Sequence, residues 1–388
     1  MGIDVDVLIL GGGCAGLSLA WRLAELGTAC PRVLILEKRT SYVNDRTWCF
    51  WDVHDARFAG LLAHEWRWLE LSASAKTVQF DCGQTAYQML AAYSFYDRAL
   101  QVIRACSSIT LALGHAVTAA PVRSAEGWGL ASTLGSIRAQ MVVDTRPRAS
   151  PAAGDATLWQ SFYGHEVCCK TDVFTPEVAQ LMDFTAGAQG QIPFTYVLPL
   201  TKRRALIETT VFGPEPLGPV ALAAQLDAAV IHHTAGHAFE ITRSESGMLP
   251  MGLTRQIASE AAGYVAVGVM AGGARASSGF AFQRIQHWAD HCCAAIAAGA
   301  APTAHRADPL LVRAMDRLFL QVLRDAPQAA PELFLSLFER ADSASVIRFL
   351  SGKSSVTDCL RVIMALPAKI FVRQLLASSP AFSVKQAG

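Results

Sequence analysis

The chain has 388 residues, 52% of them hydrophobic, and its 33 basic and 32 acidic side chains leave a formal net charge of +1. That length favours an elaborate α/β domain, or two modest ones, over a small binding module. The near-balanced charge creates no field that would draw nucleic acid or an acidic polymer, so neither is expected as a partner.

The ten cysteines include the adjacent pairs Cys168-Cys169 and Cys292-Cys293 but no C-x-x-C, which argues for reduced core thiols over a redox dithiol or zinc site. Asp4 and Asp6 stand where a signal peptide needs positive charge, so a cytoplasmic location is expected. Asp6 also occupies the position where a myristoylation motif at Gly2 needs Ser or Thr. The apolar run at 264–274 is too short and glycine-broken to span a bilayer. A mean hydropathy of +0.28 nonetheless directs attention to a membrane surface or a very apolar substrate.

Residues 6–10 form an apolar, β-branched run, 15–26 carry helical apolar spacing up to Gly27, and 32–36 form a second buried strand that ends in Glu37. This is a βαβ unit with parallel strands. Helical periodicity covers 90–106, a strand covers 136–144, and the Pro/Ala/Gly connection at 148–154 marks a change of layer. Strands at 194–199 and 204–211, joined by the turn Thr201-Lys202-Arg203, predict a hairpin in an antiparallel sheet. A helix is expected at 219–233, a buried strand at 264–269, and a helix at 282–298 after the turn Ala271-Gly272-Gly273-Ala274. From about Pro309 the chain reads as helical, with breaks at Pro327, Pro331 and Pro367.

Gly11-Gly12-Gly13-Cys14-Ala15-Gly16 contains G-x-G-x-x-G between a strand and a helix, with Glu37 about twenty residues further on at the next strand tip. Gly11 permits the tight turn, Gly13 lets the backbone approach a pyrophosphate, and Gly16 allows close helix–strand packing. At the helix start, around Ala15, dipole and free N–H groups face the phosphates. Glu37 suits ribose hydroxyls and disfavours the 2′-phosphate of NADP, but the fingerprint alone does not separate FAD from NAD.

Four further segments carry a resemblance. They are Val43-Asn44-Asp45-Arg46-Thr47-Trp48-Cys49-Phe50-Trp51; Phe194-Thr195-Tyr196-Val197-Leu198-Pro199-Leu200 with Leu206-Ile207-Glu208-Thr209-Thr210; Glu245-Ser246-Gly247-Met248-Leu249-Pro250; and Ser277-Ser278-Gly279-Phe280. In this order they resemble the bacterial and plant lycopene β-cyclase family, a branch of the FAD-dependent oxidoreductase-like superfamily. The tail segments Phe349-Leu350-Ser351-Gly352-Lys353 and Asp358-Cys359-Leu360-Arg361 are similar to that family's helical C-terminus. Two positions depart from the family pattern: Arg275-Ala276 stands in place of His-Pro, and Thr209 in place of a second acid after Glu208.

The resemblance implies a Rossmann-like FAD-binding α/β domain over 1–305, with an inserted antiparallel substrate sheet at about 155–255 and a helical region over 306–388. It implies FAD, active when reduced, with NAD(P)H as electron donor and Gly11, Gly13, Ala15, Gly16, Glu37, Arg46 and Gly279 on the cofactor. It also implies lycopene or a related linear carotene as substrate, and peripheral contact with the membrane through C-terminal helices that include Ala368-Lys369-Ile370-Phe371-Val372-Arg373-Gln374-Leu375-Leu376. The expected reaction is acid-catalysed, non-redox closure of ψ-end groups to β-ionone rings, giving β-carotene through γ-carotene. Glu208 is the expected general acid, and Trp48, Phe50, Trp51 and Tyr196 are expected along the polyene.

Other readings stay open at the level of sequence. Taken by itself, Glu208 reads as a solvent-facing strand residue paired with Arg203 or Arg204, the aromatics as plain core, and Arg46 as one half of a surface ion pair. A monooxygenase or halogenase of related fold would use FAD with NAD(P)H; Trp66-Arg67-Trp68-Leu69-Glu70 keeps only the two tryptophans of the halogenase motif, and Val267-Gly268-Val269-Met270 lacks the monooxygenase Gly-Asp. A non-catalytic flavin-bound carotenoid carrier is a third reading. His233/His237 and His287/His291 have helical spacing but bring no third ligand, so no metal is expected. Nothing in the sequence sets the oligomeric state.

Overall fold

The computed structural model describes residues 3–51, 55–74, 76–147, 151–254 and 262–377. Gly2, residues 148–150 of the expected interlayer connection, and the side chains of Leu375 and Leu376 lie outside the described residues.

Strand Ile3–Leu10 pairs in parallel with Val33–Glu37 on one side and with Gly135–Asp144 on the other. Ile109–Leu113 and Tyr264–Ala266 extend the parallel sheet, while Gly127–Ser132 and Val122–Ser124 add an antiparallel edge. Helices Cys14–Glu25, Ala92–Arg104 and Phe282–Ala297 cover one face, around a core that includes Leu17, Trp21, Phe95 and Trp288.

A second seven-stranded sheet runs in the order Phe239–Leu253, Ala156–Cys169, Arg204–Gly213, Ile192–Pro199, Val178–Phe184, Trp68–Ala73, Lys76–Asp81. Five of these strands come from the stretch expected to form the substrate sheet, and the hairpin at 68–81 adds two from outside it. The expected turn at 201–203 does connect antiparallel neighbours. Helix Pro219–His233 packs on one face of this sheet through Leu226 and Val230 against Val197, Ala205 and Ile207. Helices Leu310–Asp325, Ala330–Arg340, Ser343–Leu350 and Val356–Ala365 build the largest core with the other face. With both faces covered, every residue of Arg204–Gly213 after the first is buried, so the strand shows unbroken burial instead of an alternation.

Three local expectations need correction. Residues 90 and 91 end a strand, Tyr87–Ala91, and the helix starts only at Ala92, because the apolar spacing continues across the joint. That strand lies between Thr47–Trp51 and Leu62–Trp66 in a small third sheet. The run at 264–269 stays extended only to Ala266: Gly268 adopts φ +98°, and a 3-10 turn follows at Val269–Ala271. Helix Pro219–His233 ends before His237, so those two histidines do not share a helix face.

Candidate active site

The glycine turn has the conformation a dinucleotide needs. Gly11 sits at φ +95°, and a Cβ at Gly16 would collide with the Gly11 carbonyl oxygen, so the helix can approach the strand only without a side chain there. A Cβ at Gly13 would meet nothing within 4 Å, which leaves its outer surface open, and no side chain caps the helix that begins at Cys14. The first-turn N–H groups, Ala15 among them, could thus hold a phosphate at the positive end of the helix dipole. Glu37 is buried and braces this turn: it accepts the Gly12 N–H at 2.6 Å and pairs with Arg39 Nε at 3.1 Å. Burial alone would raise its pKa, and the hydrogen bonds from Arg39 and Gly12 outweigh that effect and hold it lowered. A ribose hydroxyl would therefore share this carboxylate with Arg39.

From the helix start a cavity of about 1060 Å³ extends to the second sheet and ends among the C-terminal helices. Cys14, Gly279, Glu208 and Phe371 all line it. Two buried oxygens on its wall, Gln160 Oε1 and Ser278 Oγ, have no hydrogen-bond partner among the described residues. Gly279 beside them adopts φ +73°, and a Cβ there would lie 2.6 Å from Gln160 Oε1. Unpaired acceptors and hydroxyls at a side-chain-free patch fit the polar edge of a flat heterocycle.

Glu208 projects into this cavity from the middle of its strand. It is buried, and its side chain accepts a hydrogen bond from Thr210 Oγ1 at 2.9 Å. Burial, then the nearby Glu245 carboxylate, push its pKa up to about 8; Thr210, Arg243 and Arg46 oppose that shift. The basic turn does not neutralise it, since Arg203 pairs with Asp172 at 2.6 Å and Arg204 donates to Glu166 at 2.6 Å. Thr209, at the position where the family pattern places a second acid, points to the opposite face of the sheet.

The other expected residues divide. Arg46 and Trp48 line the cavity; Arg46 donates to the Ser246 carbonyl, and Trp48 stacks on Phe282 with centroids 5.4 Å apart. Tyr196 is the cross-strand neighbour of Glu208, and its hydroxyl lies 2.9 Å from that of Tyr87. Phe50 and Trp51 follow the cavity-lining positions 46–49 and lie in packed surroundings: Phe50 stacks on Phe282 at 4.8 Å, and Trp51 packs on Tyr87 at 4.7 Å.

Glu245, Gly164, Thr210 and Tyr87 also shape the site and were not singled out in the sequence. Glu245 and Thr210 had a visible signal, since each stands in a segment that carries the resemblance; Gly164 and Tyr87 had none. Of the histidines weighed as metal ligands, His233 lies with Asp183 and His232 in a group whose ligand atoms are within 4.8 Å of one another, among the described residues.

Comparison with known proteins gives a consistent picture. The family model for lycopene cyclase protein matches residues 6–376. A lycopene beta-cyclase from a Paracoccus species is 27% identical, over 93% of this chain and 94% of that protein. One from Pseudescherichia vulneris is 24% identical at the same coverage. Among solved structures, a geranylgeranyl bacteriochlorophyll reductase-like protein from Thermoplasma acidophilum and a flavin-dependent brominase each superpose with a TM-score of 0.61 at 12% identity, covering 97% of this chain and 100% of theirs. A p-nitrophenol 4-monooxygenase from Pseudomonas putida does so at 0.57 and 13%, covering 97% and 98%. At these identities the structural likeness establishes the flavoprotein fold and nothing finer.

Proposed function

The chain belongs to the lycopene cyclase family, and from that premise we propose that it is a lycopene β-cyclase, closing the linear ψ-end groups of lycopene into β-ionone rings without net electron transfer. The carrying observation is Glu208, a carboxyl group held in a largely apolar cavity with its pKa pushed up to about 8. An alkene is a weak base, and its protonation needs an undissociated acid shielded from water. Glu208 delivers that proton to the terminal double bond, and the neighbouring alkene closes on the resulting cation.

FAD is the proposed cofactor. Gly11, Gly13, Ala15, Gly16 and Glu37 hold its dinucleotide half, while Arg46 and Gly279 face the ring. Bound and reduced, it supplies electron density that stabilises cationic charge; NAD(P)H is the proposed donor. Trp48 and Tyr196 wall the polyene path, and Phe50 and Trp51 fix the strand that carries Trp48.

We place the protein at the cytoplasmic membrane surface. Among the described residues no helix is long and apolar enough to cross a membrane. Leu360, Ile363, Met364 and Val372 nonetheless present exposed apolar side chains, beside exposed Arg361, Lys369 and Arg373. Ile363 and Val372 also line the cavity, so its far end opens on this face and a lipid-soluble substrate enters from it.

Expression in cells that accumulate lycopene, with pigments separated by chromatography, tests the reading. Conversion to γ- and β-carotene is expected. Unchanged lycopene in the presence of folded, flavin-loaded protein would overturn it, and substrate-dependent oxygen uptake coupled to NADH consumption would point to a monooxygenase instead.

A further inference from the structure

Ring closure by the proposed chemistry needs one proton delivered and one removed, while only a single acid has so far been given a role. Strand register supplies a second group. Tyr196, Glu208, Gly164 and Glu245 lie directly opposite one another across four adjacent strands, so all four side-chain positions leave the same face of the sheet. Gly164, between the two acids, contributes no side chain; a Cβ there would stand 3.1 Å from Glu208 Cβ and 3.3 Å from its Cγ. Two strand spacings put the backbones of Glu208 and Glu245 about 10 Å apart. The gap between their carboxylates is thus a slot floored by glycine, and both acids line the same cavity.

The two acids have different surroundings. Glu208 has Thr210 as its side-chain donor. Glu245, also buried, accepts Thr47 Oγ1 at 2.7 Å and is ion-paired with Arg243. Arg243 donates in turn to Thr47 Oγ1 at 2.9 Å and to Glu166 at 3.1 Å, so three separate strands fix the Glu245 carboxylate. Among the described residues Arg243 ion-pairs directly with Glu245, whereas Glu208 is met only by the Thr210 hydroxyl and feels Arg243 and Arg46 from further off; this difference separates a proton acceptor from a proton donor.

We propose that Glu245 is the base of the reaction, receiving across the Gly164 slot the proton that the ring carbon loses while Glu208 gives up its own. The proposal rests on the cyclase reading. The Glu208 O–H bond breaks as a C–H bond forms at the terminal alkene carbon, and the adjacent double bond supplies the electron pair of the new ring C–C bond. The ring C–H bond then breaks, its electron pair becomes the ring double bond, and its proton passes to a Glu245 oxygen. No electrons are gained or lost, and exchange with water returns both carboxyls to their starting states between turnovers.

The test compares wild type, Glu208→Gln and Glu245→Gln with lycopene in D2O, following ring formation and deuterium in recovered lycopene. For Glu245→Gln, β-ring formation is expected to fall about 100-fold while recovered lycopene still gains deuterium, because protonation survives and reverses. Glu208→Gln is expected to lose both. Wild-type β-ring formation by Glu245→Gln, or loss of product and label together, would overturn the proposal. Flavin absorbance and circular dichroism report folding. If Glu245→Gln does not fold, Glu245→Asp, which keeps the charge for Arg243 but retracts it by one methylene, undergoes the same comparison and the same two outcomes decide. Failure of the cyclase reading looks different, since wild type itself would then neither form rings nor label lycopene.

Discussion

Arg275 and Asp316 form an ion pair at 3.0 Å with side-chain exposures of 0% and 4%, tying the loop before Ser277 to the first C-terminal helix. The guanidinium also donates to the Phe349 carbonyl and lies 4.1 Å from the Phe349 ring centroid. The family's His-Pro is thus replaced by a strut between the flavin-side loop and the helical region. Arg275→Ala leaves Asp316 buried without its counter-charge and is expected to destabilise the protein by about 3–5 kcal/mol, read by denaturant unfolding. Its bound flavin should fall as well, because the same loop carries Ser278 and Gly279.

Replacing Glu208 with Gln keeps shape and burial but removes the acidic proton. Cyclisation in a reconstituted assay is expected to drop by about 10²–10⁴-fold with flavin content unchanged. Full activity in this variant would remove Glu208 from the mechanism.

The pH dependence follows from the sign of the same shift. Glu208 is raised from 4.5 to about 8 in the folded chain, so the reactive acid is abundant below about 8, and activity should decline as pH rises through that value. Between 4.5 and about 8 the folded chain keeps a proton that the unfolded chain has released, so rising pH in this window favours unfolding. Glu208→Gln should remove this component of the stability–pH curve, which thermal melts at several pH values would reveal.

Gly16→Ala drives a methyl group into the Gly11 carbonyl. The purified variant is expected to lack the flavin absorption bands while retaining the secondary-structure signal of the second sheet, which is built from other segments.

Met364→Glu, on the exposed face of helix Val356–Ala365, should weaken co-sedimentation with vesicles containing anionic lipid and leave unfolding unchanged. Equal binding by the variant and wild type would place the membrane contact elsewhere.

The dinucleotide turn was legible because its determinants are contiguous: a strand, three glycines and a helix within one short stretch. Glu208 was visible through the resemblance alone, since a strand buried on both faces shows no alternation to say which way a side chain points. The Glu245–Gly164–Glu208 row was hidden for a different reason. Its register joins strands that begin at 156, 204 and 239, and the long connections between them carry no local code for pairing. The strands at 47–51 and 87–91 escaped notice because each is only five residues long, and the second runs straight into a helix whose apolar spacing masks the joint.

The cavity floor comes from 156–253 and its helical cover from 310–377. A ribosome therefore completes the acid-bearing sheet before it makes the lid that keeps water away from it. During that interval the nascent chain exposes Phe194, Leu206 and Phe212, a greasy surface suited to chaperone capture or to early adsorption on the bilayer.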